Sequence, residues 1–195
     1  MTSTQNVNSA DLALDFLNPR KHVKGRTNDL ISTPEGLRTW LAGVGFQNDG
    51  IDSKLSPPSA RLLFDEAHRL RGAIRSAVEA HVSGEPVPPS SLHALNRALE
   101  VSRITTQLRH DGEKLTLLQR DTAPASLAAL SRIALAAGTL LTECDHRRIR
   151  QCQSDRCVVW FLDTSKSGRR RWCSMATCGN RAKAARHQQK LKTAS

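Results

Sequence analysis

The stretch that decides the reading is Cys152-Gln-Ser-Asp-Arg-Cys157-Val-Val-Trp-Phe-Leu-Asp-Thr-Ser-Lys-Ser-Gly-Arg-Arg-Arg-Trp-Cys173-Ser-Met-Ala-Thr-Cys178. Four of the five cysteines of the chain fall here, as two C-x4-C pairs separated by 15 residues. Close pairs joined by a spacer able to form a hairpin are how four thiolates reach one tetrahedral Zn²⁺. The competing reading is two disulfides or free buried thiols. Disulfides need an oxidising compartment, and the opening Met1–Phe16 has neither the basic start nor the long apolar run of an export signal, so metal is the expected reading. An all-thiolate set leaves no open coordination position, which makes the expected zinc structural. Val158–Leu162 reads as a strand, 163–168 as a turn and Arg169–Trp172 as the returning strand. Cys173 and Cys178 are five residues apart, about 140° around a regular helix, so a turn must separate them and a helix should start near Cys178-Gly179-Asn180. Gly179 and Asn180 suit such a turn through their tolerance of left-handed backbone angles. Knuckle, hairpin and helix together make a treble-clef-like finger.

Charge draws a boundary just before this stretch. The 195 residues carry 29 Lys+Arg against 18 Asp+Glu, a net +11. Residues 1–145 hold 16 of each sign, whereas residues 146–195 hold 13 cations and 2 anions. A basic segment of fifty residues with few apolar side chains cannot bury an adequate core alone; a bound metal supplies on the order of 10 kcal/mol towards its folding. Segregated positive charge also points to a polyanionic partner, of which nucleic acid is the commonest. No apolar run approaches the roughly 18 residues of a membrane span, so a cytoplasmic protein without membrane contact is expected.

The first 145 residues read as mainly helical. Ser32-Thr33-Pro34-Glu35 is a helix start, with Pro34 in a first turn where a missing N–H costs nothing. Leu37, Trp40, Leu41 and Val44 then form one apolar stripe. Longer helices are expected from Pro57-Pro58-Ser59 to near Gly84, over Ser90–Val101, and over Ala125–Glu143, the last almost without polar residues and so the central core helix. Ile104, Thr106 and Leu108 alternate into Asp111-Gly112 and out through Leu115 and Leu117, a hairpin signal. Short strands are an option near Leu12–Phe16. The fold class expected is α+β: a mainly helical N-terminal domain with a β-hairpin, residues 1–145, followed by the small finger, residues 146–195.

Leu162-Asp163-Thr164-Ser165, Arg170-Arg171-Trp172-Cys173-Ser174-Met175-Ala176 and Cys178-Gly179-Asn180-Arg181-Ala182-Lys183 together resemble the CGNR zinc finger, named for the residues at 178–181. In that family the finger follows an ABATE domain, and the opening Leu12-Ala13-Leu14-Asp15-Phe16-Leu17-Asn18, with Asp29-Leu30 and Leu37-x2-Trp40-Leu41, is similar to one. The resemblance implies a bacterial DNA-binding regulator whose first domain senses a ligand or dimerises, giving a small-molecule effector and a homodimer as partners to expect.

A helical wheel from Cys178 places Lys183, Arg186 and Lys190 in a narrow arc, a cationic ridge about 10 Å long that can follow phosphates. Arg181 lies on the same helix, Arg169, Arg170 and Arg171 form a second cluster on the spacer, and Arg147, Arg148 and Arg150 a third at the joint. Ala182, Ala184, Ala185 and Leu191 offer a weak apolar face for docking on the finger. Trp160, Phe161 and Trp172 are expected in the finger's small core rather than stacked on bases. RNA binding and a zinc-stabilised protein-interaction adaptor are the alternatives to DNA. Asp15, Asn18 and Arg20 close an apolar stretch, and two readings stay open for them: the lining of a ligand pocket, or capping and a surface salt bridge. Cys144 reads as a packed hydrophobe outside the metal set. The seven histidines pair with no acid or nucleophile at a catalytic spacing, and no phosphate-cradling glycine loop occurs, so no enzyme is expected.

Overall fold

A computed structural model describes residues 9–193 except 19, 24–25, 47–54, 111, 122 and 156. Six α-helices and three two-stranded antiparallel sheets follow in the order α1 (Ser9–Leu17), β1 (Arg20–Val23), β2 (Arg26–Asp29), α2 (Pro34–Leu41), α3 (Pro57–Ser83), α4 (Pro89–Glu100), β3 (Ile104–His110), β4 (Leu115–Asp121), α5 (Ala125–Glu143), β5 (Ile149–Gln151), β6 (Trp160–Leu162) and α6 (Asn180–Thr193). The α+β class, the helical first part and the hairpin agree with the sequence. None of the helices among the described residues is long and apolar enough to cross a membrane.

The helix starts obey local chemistry. Thr33 caps α2 by accepting the Gly36 N–H at 3.0 Å, with Pro34 at the first helical position. Ser56 caps α3, whose far end is closed by Gly84 in the left-handed conformation (φ 73°) that glycine adopts without strain. The low polarity of α5 is explained by its surroundings: it packs against α1, α3 and α4, and Ala129, Ile133, Ala137 and Leu140 are fully buried. The stretch Leu12–Phe16 is helical, not strand. Its nearly continuous apolar run hides the helical period, and the contact of α1 with α5 decides the outcome. The β3–β4 hairpin has the expected partners, Leu108 opposite Leu117 and His110 opposite Leu115, with Gly112 at φ 73°; Asp111 lies outside the described residues.

One buried charge ties the first helices together. The Arg71 guanidinium of α3 pairs with Asp29 at 2.7 Å and donates to the Leu17 carbonyl at the end of α1. Arg75 donates to the same carbonyl at 3.2 Å. The last carbonyls of a helix have no partner within it, so two arginines cap α1 from a neighbouring helix. His68, half-buried, bonds the Ile31 carbonyl at 2.9 Å, a structural histidine as its place on a helix suggests.

Gly36 is required by close approach: a Cβ there would lie 2.2 Å from the Leu30 carbonyl oxygen, a backbone atom with little room to move. Gly36→Ala is expected to lower stability by at least about 2 kcal/mol in urea unfolding, as overpacking against backbone does; the solvent-exposed Gly72→Ala, with open space around the new carbon, should lose none.

Candidate metal centre and nucleic-acid interface

The sulfurs of Cys152, Cys157, Cys173 and Cys178 all lie within 4.8 Å of one another. Cys157–Cys173 and Cys173–Cys178 are each 3.8 Å apart, far beyond a disulfide bond. A tetrahedral shell with metal–sulfur bonds of about 2.3 Å needs sulfurs about 3.8 Å apart, so the cluster has the dimensions of a metal site. Cys152 and Cys178 are buried, and the Cys173 N–H donates to the Cys152 sulfur at 3.4 Å. Bound there, a metal ion would hold four thiolates as a closed structural crosslink. Cys144 stands apart, half-buried against the main core, with its thiol raised by burial and by Glu143 and Asp11.

Backbone geometry brings the four cysteines together in two pieces. The first is a knuckle: Cys152 N–H bonds the Val159 carbonyl and Cys157 N–H the Ser154 carbonyl, both at 2.8 Å. The second is a wide, π-type turn over Met175–Gly179, capped by Ser174, which separates Cys173 from Cys178 before α6 begins at Asn180. A turn was expected here, with Gly179 suited to it by its tolerance of left-handed angles. Gly179 does not have a positive φ; instead a Cβ would press to 2.8 Å from the Met175 sulfur and 3.5 Å from the Trp172 ring. The atom it would press on is the end of the flexible, exposed Met175 side chain, which can turn aside.

The expected hairpin is corrected. β6 pairs with β5, upstream of the cysteines, in the register Ile149–Leu162, Arg150–Phe161 and Gln151–Trp160. Residues 169–171 form no strand with β6, because other groups take their backbone. Asp163, fully buried, accepts the Arg170 N–H at 2.7 Å and both the N–H (3.0 Å) and hydroxyl (2.6 Å) of Ser165. The Arg171 carbonyl accepts from the Gln153 N–H at 2.9 Å. Arg148 closes the same loop, donating to the carbonyls of Asp163 (2.9 Å) and Ser165 (3.0 Å).

The cations therefore divide into two groups. Arg170 is turned inward: it stacks over Phe161 at 4.9 Å and donates to the carbonyls of Trp172 and Cys173. Two of its three guanidinium nitrogens are thus engaged inside the finger, which gives it a structural role beside the one expected towards a polyanion. Arg169, Arg171, Arg181, Lys183 and Arg186 are exposed. Arg171 bonds Gln153 at 2.7 Å, and the guanidiniums of Arg171 and Arg186 lie 5.2 and 5.9 Å from the Trp172 ring. Lys190 lies in α6, but its side chain is outside the described residues. The expected apolar docking face of α6 is also corrected: Ala184, Ala185 and Leu191 are exposed and only Ala182 is half-buried. Ala, Arg, Lys and Gln favour the helix intrinsically, and its start packs on the turn at Met175–Gly179.

The aromatic residues split across two cores. Phe161 and Trp172 pack with the cysteines, whereas Trp160 and Ile149 belong to the large core of the helical part. The seam is fixed by Asn18: its side-chain carbonyl accepts the Trp160 N–H (3.0 Å) and its amide donates to the Trp160 carbonyl (2.6 Å). Sequence reading grouped Asn18 with Asp15 and Arg20 as pocket or cap; the structure spends Asn18 on the finger and leaves Asp15 exposed on α1. Arg20 lies in β1 with its side chain outside the described residues.

Two family profiles match the chain in succession. Residues 10–143 match ABATE, described as "Putative stress-induced transcription regulator". The chain belongs to the ABATE family. Residues 148–190 match the CGNR zinc finger, a match that contains all four clustered cysteines. Both are regulator or zinc-finger families rather than enzyme families. No curated protein matches the chain in a sequence comparison.

The thiols of this ABATE-family protein predict how it takes up metal. Burial pushes Cys157 up to about 11, and burial with the neighbouring Cys157 and Cys152 raises Cys173 further. Burial also raises Cys152, but hydrogen bonds from Cys173 and Ser154 N–H groups outweigh it and bring the thiol below its ordinary value. At neutral pH at least Cys157 and Cys173 keep their protons until metal displaces them. Zn²⁺ uptake by the metal-free chain should thus release two or more protons, and its affinity should rise at least 100-fold from pH 6 to pH 7. Titration in weakly buffered indicator dye measures the protons; uptake without acidification would contradict the site.

Asp163 predicts an acid limit. Hydrogen bonds from Ser165 hold its carboxyl below the ordinary range against the effect of burial, with the Arg170 N–H and Arg150 assisting. A group lowered on folding stabilises the fold fully above its unfolded pKa, about 3.9, and stops doing so as pH falls through the lower folded value. Asp163→Asn is expected to remove that acid dependence and to lower the thermal midpoint at pH 7, because one N–H of the new amide would face the Arg170 N–H.

Proposed function

We propose that this protein is a bacterial, cytoplasmic DNA-binding transcription regulator. In this reading a Zn²⁺ ion holds the finger of residues 146–195, which grips DNA through phosphates. The domain of residues 1–145 senses a small molecule or dimerises, and the protein catalyses no reaction. The observation that carries the reading is the exposed pair Lys183 and Arg186 on one side of a helix that docks on little else, with Arg181 exposed on the same helix and Arg169 and Arg171 exposed beside it. Cations held out on a projecting helix are what counterion release from phosphates exploits. The order of the two families, a transcription-regulator domain before a zinc finger, supports the same reading.

Nothing favours RNA over DNA. Base stacking needs an aromatic face in solvent, yet Trp160 and Phe161 are buried and Trp172 has arginines beside its ring.

Neutralising Lys183 or Arg186 should each lower the salt slope of log K for duplex DNA by about 1, with little change in folding, because each contributes about one released counterion. Arg170→Gln should instead weaken the finger itself, seen as earlier metal loss to a chelator. Filter binding across a salt series checks the first. Unchanged slopes in both variants would remove α6 from the interface, tighter binding of structured RNA would favour the RNA module, and no affinity at all would favour a protein adaptor.

A further inference from the structure

A cleft of about 320 Å³ opens between α3, α4 and α5, away from the finger. Its volume falls at the lower end of small-molecule sites, about 300–1,000 Å³. The floor is apolar, built from Leu70, Ala98, Val101 and Leu130, with Leu62 at the mouth 55% exposed. Across the rim runs a charged bridge. One oxygen of Glu66 accepts from Arg69 at 3.2 Å and from Arg97 at 3.1 Å. Two guanidiniums share one carboxylate, which leaves the rim with one net positive charge. Arg97 is exposed, and its remaining N–H groups have no partner among the described residues. A second hollow continues from Arg97 and Val101 towards Ala123 and Pro124 at the start of α5.

We propose that this cleft binds a monocarboxylate with an extended apolar body, such as a medium-chain fatty acid. The carboxylate pairs with Arg97 and Arg69 at the rim, and the hydrocarbon lies over Leu70, Ala98 and Leu130. The chemistry of the walls selects this class: an apolar floor does not solvate a sugar or a nucleotide, and a single net charge matches one carboxylate better than a polyanion. The proposal rests on the reading of the first domain as a ligand sensor and gives that sensor a site. It also supplies a physical route: α5 lines the cleft and packs on α1, which leads into Asn18 and its two bonds to the finger at Trp160.

The test uses full-length, Zn²⁺-loaded protein without DNA, titrated by calorimetry with decanoate, decanol and inorganic phosphate. Decanoate is expected to bind saturably at one site per chain, decanol at least tenfold more weakly, and phosphate not at all. Arg97→Gln, a change at an exposed position, should weaken decanoate about tenfold while changing decanol less than threefold. Glu66→Gln, which removes the competing carboxylate, should strengthen decanoate. Ala98→Trp, which fills the floor, should abolish binding of both. The proposal is overturned if wild-type protein shows no saturable decanoate binding, if decanol binds as well as decanoate, or if Arg97→Gln leaves decanoate affinity unchanged. It is equally overturned by a solution dimer that Ala98→Trp dissociates and decanoate does not affect, which would make the cleft a subunit interface. DNA affinity, measured separately, should be the same for Arg97→Gln and wild type without ligand. Its loss in both would sink the regulator reading while leaving the cleft's chemistry standing.

Discussion

Four thiols lie within 4.8 Å of one another, and burial together with the neighbouring sulfurs opposes the ionisation of two of them, Cys157 and Cys173. They can be thiolates together only around a cation. The geometry of the C-terminal segment follows from that requirement. The knuckle around Ser154 delivers Cys152 and Cys157, the π-type turn at Met175–Gly179 delivers Cys178, and Cys173 stands just before the Ser174 that caps that turn. Between them the chain has little apolar surface to bury: among the described residues, the buried Phe161 and the partly buried Val159 and Trp172 pack against the cysteines. Such a segment is held by bonds and charges rather than by a core of its own, and this is why so many of its backbone groups are tied by side chains.

The finger is nevertheless not an independent body. Trp160 and Ile149 lie in the core of the helical part, and Asn18 binds both backbone groups of Trp160 from 142 residues away. The charge boundary near residue 145 is thus not a boundary of packing. β5 and β6 face two ways, with Trp160 towards the helices and Phe161 towards the sulfurs, as alternation along a strand requires. A finger anchored through an alternate residue of its own strand cannot swivel freely on a linker, and any rearrangement of α1 is felt at the residue next to Phe161.

What the sequence revealed and what it hid have the same origin. Cysteine spacing, proline-led helix starts and the alternating hairpin are local signals, and the elements they mark are present. The partner of β6 was not legible, because it depends on where the Asp163 carboxylate points: with that side chain holding the Arg170 N–H, the returning segment has no ladder to offer. Asn18 could be seen as a polar residue at the end of an apolar run, but its partner lies on the far side of the chain, beyond any periodicity. The cleft between α3, α4 and α5 escapes for a similar reason: each of its helices is an ordinary amphipathic segment, and the concavity exists only where three of them fail to close.

The positive charge of the last fifty residues also needs dividing before it says anything about a partner. Arg148 and Arg170 donate to four carbonyls of the loop and turn that carry the finger, so two cations are consumed in satisfying backbone that no strand satisfies. A divalent ion with four thiolates carries two net negative charges, and Arg170, bonded to the Cys173 carbonyl, stands beside them. Part of the basic excess is therefore spent on the loops, and part would balance a metal bound by the four thiolates. Arg150 is half-buried beside Asp163, whereas Arg147, Lys166, Arg169, Arg171, Arg181, Lys183 and Arg186 are exposed. An arginine count thus overstates the charge that the segment leaves exposed.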